Sequence, residues 1–102
     1  MAEELTTLAV RIKFMGDLRA IVGKQETTAN VPQGSTVKDL LASLSDRYGE
    51  RFRSRVLNPM GNLEHYVLVF LNGTNIREMS GLETILREGE LELMMLPMFE
   101  GG

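Results

Sequence analysis

The two residues that close the sequence, Gly101 and Gly102, leave a carboxylate with no Cβ near it. A narrow channel can enclose such a backbone and still admit a nucleophile, whereas a larger side chain would obstruct the approach. A carboxylate does not react unaided with sulfur or amine nucleophiles, so this group requires activation, as in adenylation by ATP. The glycines Gly16, Gly23 and Gly34 are isolated turn residues and form no phosphate-cradling loop. The ATP site is therefore expected on another protein, with no cofactor bound by this chain.

The other reactive side chains are sparse. There is no cysteine, which removes a disulfide framework, a thiolate metal site and a cysteine nucleophile together. Any sulfur chemistry has to use borrowed sulfur. His65 is the only histidine and has no thiolate companions, so a metal site is not expected and the residue reads as part of a loop or strand edge. Arg47, Arg51, Arg53 and Arg55 follow a helical segment, where they suit a solvated face and the negative end of the helix dipole. Glu83, Glu88, Glu90, Glu92 and Glu100 gather acid in the last third, which can steer a basic partner or simply keep a sheet face wet. Lys13, Lys24 and Lys38 are the only lysines.

The chain of 102 residues suits one domain with its own core, and 43% hydrophobic with 25% charged residues is ordinary globular composition. A formal charge of -3 argues against general nucleic-acid binding, which needs a basic face. The start Met1-Ala2-Glu3-Glu4 lacks a basic leader, and no apolar run approaches the ~18 residues of a membrane span. No membrane association is expected, and the cytoplasm is the expected compartment.

The elements that must position the terminus can be read from periodicity. Leu8, Val10, Ile12 and Phe14 alternate with Arg11 and Lys13, which predicts a half-buried strand over 8–15. Residues 18–22 suit a short helical turn stopped by Gly23, and the polar run 25–31 before Pro32 suits an edge strand paired with the first. Thr36-Val37-Lys38-Asp39 has a capping-box pattern. Behind it Val37, Leu40, Leu41, Leu44 and Tyr48 recur at helical spacing, and Gly49 follows as a left-handed cap. Residues 50–66 read as an extended connection around the turn cluster 58–62. Asn72-Gly73 joins the apolar run 66–71 to a strand-like segment over 74–79. A helical turn is expected over 82–86, closed by Gly89, then a last strand over 90–96 and Pro97. This order predicts an α+β, β-grasp (ubiquitin-like) fold: a mixed sheet of about five strands covered by one main helix. Residues 1–97 form the domain and 98–102 a tail ending in diglycine, and the five residues beyond Pro97 reach up to roughly 17 Å when extended.

Alternation also predicts a surface. If Glu92 faces solvent, Met94 and Leu96 share its face, and Met15 alternates outward at the end of the first strand. With the first and last strands as parallel neighbours, Met15, Met94 and Leu96 form an apolar patch beside the tail. That patch either docks a partner or packs beneath the 50–66 connection.

Leu18-Arg19, Gly23-Lys24, the run from Gly34 to Leu41, Val69-Phe70-Leu71-Asn72-Gly73, the run from Gly81 to Glu90 and the terminal Gly101-Gly102 together resemble the MoaD/ThiS family of ubiquitin-like sulfur carriers. The 50–66 stretch resembles the branch that includes archaeal small modifier proteins. The resemblance implies that an E1-like adenylyltransferase activates Gly102 and a sulfurtransferase converts it to a thiocarboxylate. The sulfur then passes to a precursor, with the large subunit of molybdopterin synthase as the implied partner and ATP used by the activating partner. The resemblance also implies alternatives: conjugation to lysines of target proteins, tRNA thiolation or thiamine synthesis. Phe99 and Glu100 depart from the small residues common before the family's diglycine, so a partner that reads them needs a wider entrance and a cation or solvent at the carboxylate.

Overall fold

In the computed structural model, residues 7–87, 89 and 91–98 are described. Strand β1, Thr7–Phe14, buries every second side chain, as its alternation predicts. Helix α1, Leu18–Val22, stops where Gly23 turns left-handed, and β2, Glu26–Pro32, returns antiparallel to β1. Helix α2, Val37–Tyr48, opens on the expected capping box, with Asp39 N–H donating to Thr36 Oγ1 at 3.2 Å and Thr36 N–H to Asp39 Oδ2 at 3.0 Å. Its buried face is Val37, Leu40, Leu41 and Leu44, each worth about 1.5–3 kcal/mol of burial.

The connection expected to be extended begins with a helix, α3, Glu50–Val56. Phe52 and Val56 stand one turn apart on one face and are fully buried. Phe52 packs edge-on to Phe14 with ring centres 6.2 Å apart, and Tyr48 lies 5.9 Å from the same ring. Gly49 has the positive φ expected of it, +90°, but its ψ of −172° is not left-handed helical. The single glycine turns the chain from α2 straight into α3, so it is a joint rather than a stop. The turn cluster beyond α3 is tight, with Asn58 Oδ1 accepting from the amides of Met60 and Asn62.

Strand β3, Val67–Leu71, reaches Asn72 and Gly73, both at positive φ, the conformation a two-residue hairpin requires. The returning strand β4 is only Thr74–Asn75. The segment read as strand-like turns instead into a 3₁₀ turn at Ile76–Glu78, because Ile76 is drawn into the core and Asn75 Oδ1 accepts from Arg77 N–H. The other short turn falls at Gly81–Glu83, earlier than expected. Thr84 to Leu86 run extended past the start of α2, where Val37 N–H donates to Thr84 O and Leu86 N–H to Ser35 O. Strand β5, Leu91–Pro97, completes a five-stranded sheet in the order β2-β1-β5-β3-β4. It is parallel to β1 and antiparallel to β3, with β2 at an edge. The core lies between this sheet and the helices: Val10, Ile12, Phe14, Val67, Val69, Leu93 and Met95 meet the buried residues of α2 and α3.

Candidate docking face and tail root

The opposite face of the sheet carries no helix residues of the core, and its centre is apolar. On β5, Glu92, Met94 and Leu96 alternate with buried neighbours and are each half-buried. On β3, Phe70 stands opposite Met94 and Leu68 opposite Leu96, both also half-buried. Met15 continues β1 beside them, its N–H donating to Met95 O at 3.0 Å, and it too is half-buried. Met15, Met94 and Leu96 thus fall on the same face of the sheet, the one that carries Arg11, Lys13 and Glu92. Leu68 and Phe70 were missed because the run Val-Leu-Val-Phe-Leu reads as a strand buried on both faces. The charged neighbours Arg11, Lys13 and Glu92 were the available signal that this face is wet.

Toward β1 the face becomes polar. Glu92 Oε2 lies 3.1 Å from Arg11 Nη2 and 3.2 Å from Lys13 Nζ. Its carboxyl is held below the ordinary carboxylate value chiefly by the Lys13 hydrogen bond, against partial burial, with Arg11 adding to the effect. Glu92 is thus ion-paired on its own sheet. At the end of β5 remote from the tail, an open hollow of ≈ 690 Å³ lies over Ala9, Thr28 and Gly73. Arg11, Asn72 and Glu92 also line it, and it lies open to solvent rather than enclosed as a small-molecule site is. Among the described residues no three His, Asp or Glu side chains are grouped to hold a metal.

At the other end, β5 leads toward the tail. Pro97 is buried and pairs with Val67, and Met98 N–H donates to Tyr66 O at 2.7 Å. Met98 is 48% exposed. Phe99, Glu100, Gly101 and Gly102 lie outside the described residues, as do Glu88 and Glu90. The arginine cluster is divided: Arg53 pairs with Glu50, Arg55 pairs with Asp17, and Arg47 lies 5.8 Å from the centre of the Tyr48 ring. His65 is exposed and meets the ring of Tyr66 edge-on. No helix is long and apolar enough to cross a membrane among the described residues.

The profile of the ThiS family matches residues 12–102. A chain from Archaeoglobus fulgidus named "Putative sulfur carrier protein" is 37% identical over 67 residues, which cover 66% of this chain and 74% of that one. Small archaeal modifier protein 3 of Haloferax volcanii is 26% identical over 95 residues, 93% of this chain and all of that one. The solution structure of small archaeal modifier protein 1 from Methanosarcina acetivorans superposes with a TM-score of 0.74 at 30% identity, covering 95% of this chain and 99% of that one. The β-grasp architecture is shared with these ubiquitin-like proteins. The chain belongs to the ThiS family, whose members are small ubiquitin-like sulfur carriers and modifiers rather than catalysts.

Proposed function

We propose that this protein is a sulfur carrier that works through the carboxylate of Gly102 and is itself no enzyme. The observation that carries the proposal is the place of β5 in the chain: the strand that presents Met94 and Leu96 on the open face ends at Pro97, and Gly101-Gly102 follow it in sequence within five residues. A partner can thus grip the face and receive the tail together. An E1-like adenylyltransferase supplies the ATP site. There the carboxylate oxygen attacks the α-phosphorus and pyrophosphate leaves; a sulfide equivalent supplied by a sulfurtransferase then attacks the acyl carbon, AMP leaves, and loss of a proton gives the thiocarboxylate. The large subunit of molybdopterin synthase is the proposed partner with which the sulfur passes to a precursor, and the ATP-dependent cycle belongs to the cytoplasm.

A second reading, conjugation of Gly102 to lysines of target proteins, is favoured by the modifier names of two of the relatives. Intact-mass measurement on protein purified from its host separates the two. A mass raised by exchange of one oxygen for sulfur supports the carrier, and a far heavier species containing a second polypeptide supports the modifier. Deleting Gly102 is expected to leave the melting temperature unchanged and to abolish activation. A truncated chain that still accepted AMP at its new terminus would overturn the role of Gly102.

A further inference from the structure

Strand β2 ends the sheet on one side. Phe14 N–H donates to Gln25 O at 2.8 Å, and the antiparallel register that follows turns the backbone groups of Thr27, Ala29 and Val31 toward β1. Those of Glu26, Thr28 and Asn30 therefore point outward, and Pro32, the next outward position, has no N–H to offer. Proteins commonly guard such an edge with charge or proline inside the strand, yet Thr27, Thr28, Ala29 and Asn30 are neutral and include no proline. What covers the edge comes from the last turn of α2. Arg47 Nη1 reaches Thr28 O at 3.5 Å and Thr27 Oγ1 at 3.4 Å, both at the limit of hydrogen bonding. Among the described residues no carboxylate pairs with Arg47 or Lys24, whereas Arg11, Lys13, Arg53 and Arg55 each have one. Burial pushes the Tyr48 phenol up, yet Thr27, Arg47 and Lys24 together hold it below its ordinary value, which puts both cations at this corner. The two sides of the strand differ. Glu26 stands opposite Lys13 and so shares the open face, while Thr27 stands opposite Ile12 on the helix side, where Arg47 meets it.

We propose that the outer edge of β2 is a second binding site, which takes an extended acidic segment of a partner protein as a sixth strand. Backbone pairing to Glu26, Thr28 and Asn30 holds the segment, and carboxylates on its helix-facing side pair with Arg47 while Lys24 adds to the attraction. Arg47 exchanges two bonds at the limit of geometry for a charge-assisted one, so uncovering the edge costs little. Glu26 sets the other half of the pattern, because it disfavours acid on the side of the segment that continues the open face. Strand β1 separates β2 from β5, so an occupant of this edge leaves Met94 and Leu96 uncovered. The site is therefore independent of the reading of Gly102.

The probe is a blocked heptapeptide of alternating threonine and glutamate, titrated at low salt into the isotope-labelled full chain and followed by amide NMR. A Kd on the order of a millimolar is expected for so short and flexible a ligand, with the largest shifts at the amides of Glu26, Thr28 and Asn30. N-methylation of one alternate set of peptide residues should abolish binding and N-methylation of the other should leave it, since only one set turns its N–H groups to β2. That comparison uses the unaltered protein, so it does not depend on how a variant folds. Arg47→Glu should weaken binding about tenfold, Arg47→Lys should retain most of it, and a peptide with lysine in place of glutamate should not bind. Equal effects of the two N-methylation patterns would overturn the proposal, because a strand cannot add without that asymmetry. So would undiminished affinity in Arg47→Glu, or shifts centred on Arg11 and Lys13, which would put the peptide on the open face. Concentration-dependent broadening at Thr28 without peptide would assign the edge to a second copy of this chain and equally overturn it.

Discussion

Met94 and Met95 are adjacent in β5 and identical in side chain, yet they belong to different parts of the molecule. Met95 is fully buried and lies on the face that meets α2 and α3, across from Phe14 and Val69. Met94 is half-buried on the open face, across from Lys13 and Phe70. Hydrophobicity alone therefore does not decide which of the two holds the fold together. What decides it is the two-residue period of the strand and the presence of helices on one side only. The sheet face that carries Glu92, Arg11 and Lys13 also carries Leu68, Phe70, Met94 and Leu96. Their clustering marks this face as the candidate docking surface.

The largest expected effect breaks the inner face. Leu93→Ala removes a fully buried side chain opposite Ile12 and Leu71 and should cost about 2–5 kcal/mol in denaturant unfolding. Met95→Asp should leave no folded protein at all, because its carboxylate would have no partner in the core. Met94→Asp, one residue away, should change stability by no more than about 1 kcal/mol. If the two methionine variants were equally destabilised, the two faces would not differ as the structure shows.

A smaller effect sharpens the outer face. Leu96→Asp and Phe70→Ala should weaken binding to the E1-like partner about tenfold or more while the domain stays folded. Met15→Asp should weaken it less, since Met15 stands at the margin of the strip, beyond the end of β1. Titration of each variant into the partner enzyme, followed calorimetrically, checks the ranking. Undiminished affinity for Leu96→Asp would mean that the partner reads the tail without the sheet.

The fold was legible wherever one period ran uninterrupted. Leu8 to Phe14, the capped helix at Thr36 and the Asn72-Gly73 hairpin each carry several local signals that agree, so their elements fall where expected. Helix α3 was not legible because only Phe52 and Val56 mark its buried face, while Arg51, Arg53 and Arg55 alternate in a way that resembles no helix. Gly49 also looked like an end. Tertiary contact decides that helix, through the aromatic group of Phe14, Tyr48 and Phe52. In the candidate site, Met15, Met94 and Leu96 could be placed from alternation. Their neighbours Leu68 and Phe70 required knowledge of which strand lies beside β5. The contacts of Arg55 with Asp17 and with the Tyr66 ring join residues far apart in the chain, and no local pattern announces them.

The smallest expected effect lies on the polar side of the open face, at Glu92. Its folded pKa is lowered relative to an ordinary glutamate, first by the hydrogen bond from Lys13 and then, against partial burial, by the charges of Lys13 and Arg11. A carboxyl with a lowered folded pKa stabilises the native state above its unfolded pKa, and that contribution fades as pH falls through the folded value. Parent and Glu92→Gln should therefore differ in melting temperature near neutral pH and converge once the medium is more acidic than the usual carboxylate range. The difference at neutral pH should be slight, because all three side chains are solvent-accessible, and it should shrink further in concentrated salt. The substitution also leaves Arg11 and Lys13 uncompensated beside the apolar strip. Affinity for an acidic partner surface should rise modestly, and affinity for a basic one should fall. Melting curves of both proteins from neutral to acid pH check the first expectation. A difference that grew on acidification would mean that Glu92 is held in its protonated form by the sheet, and the ion pairs with Arg11 and Lys13 would not be what organises this side of the face.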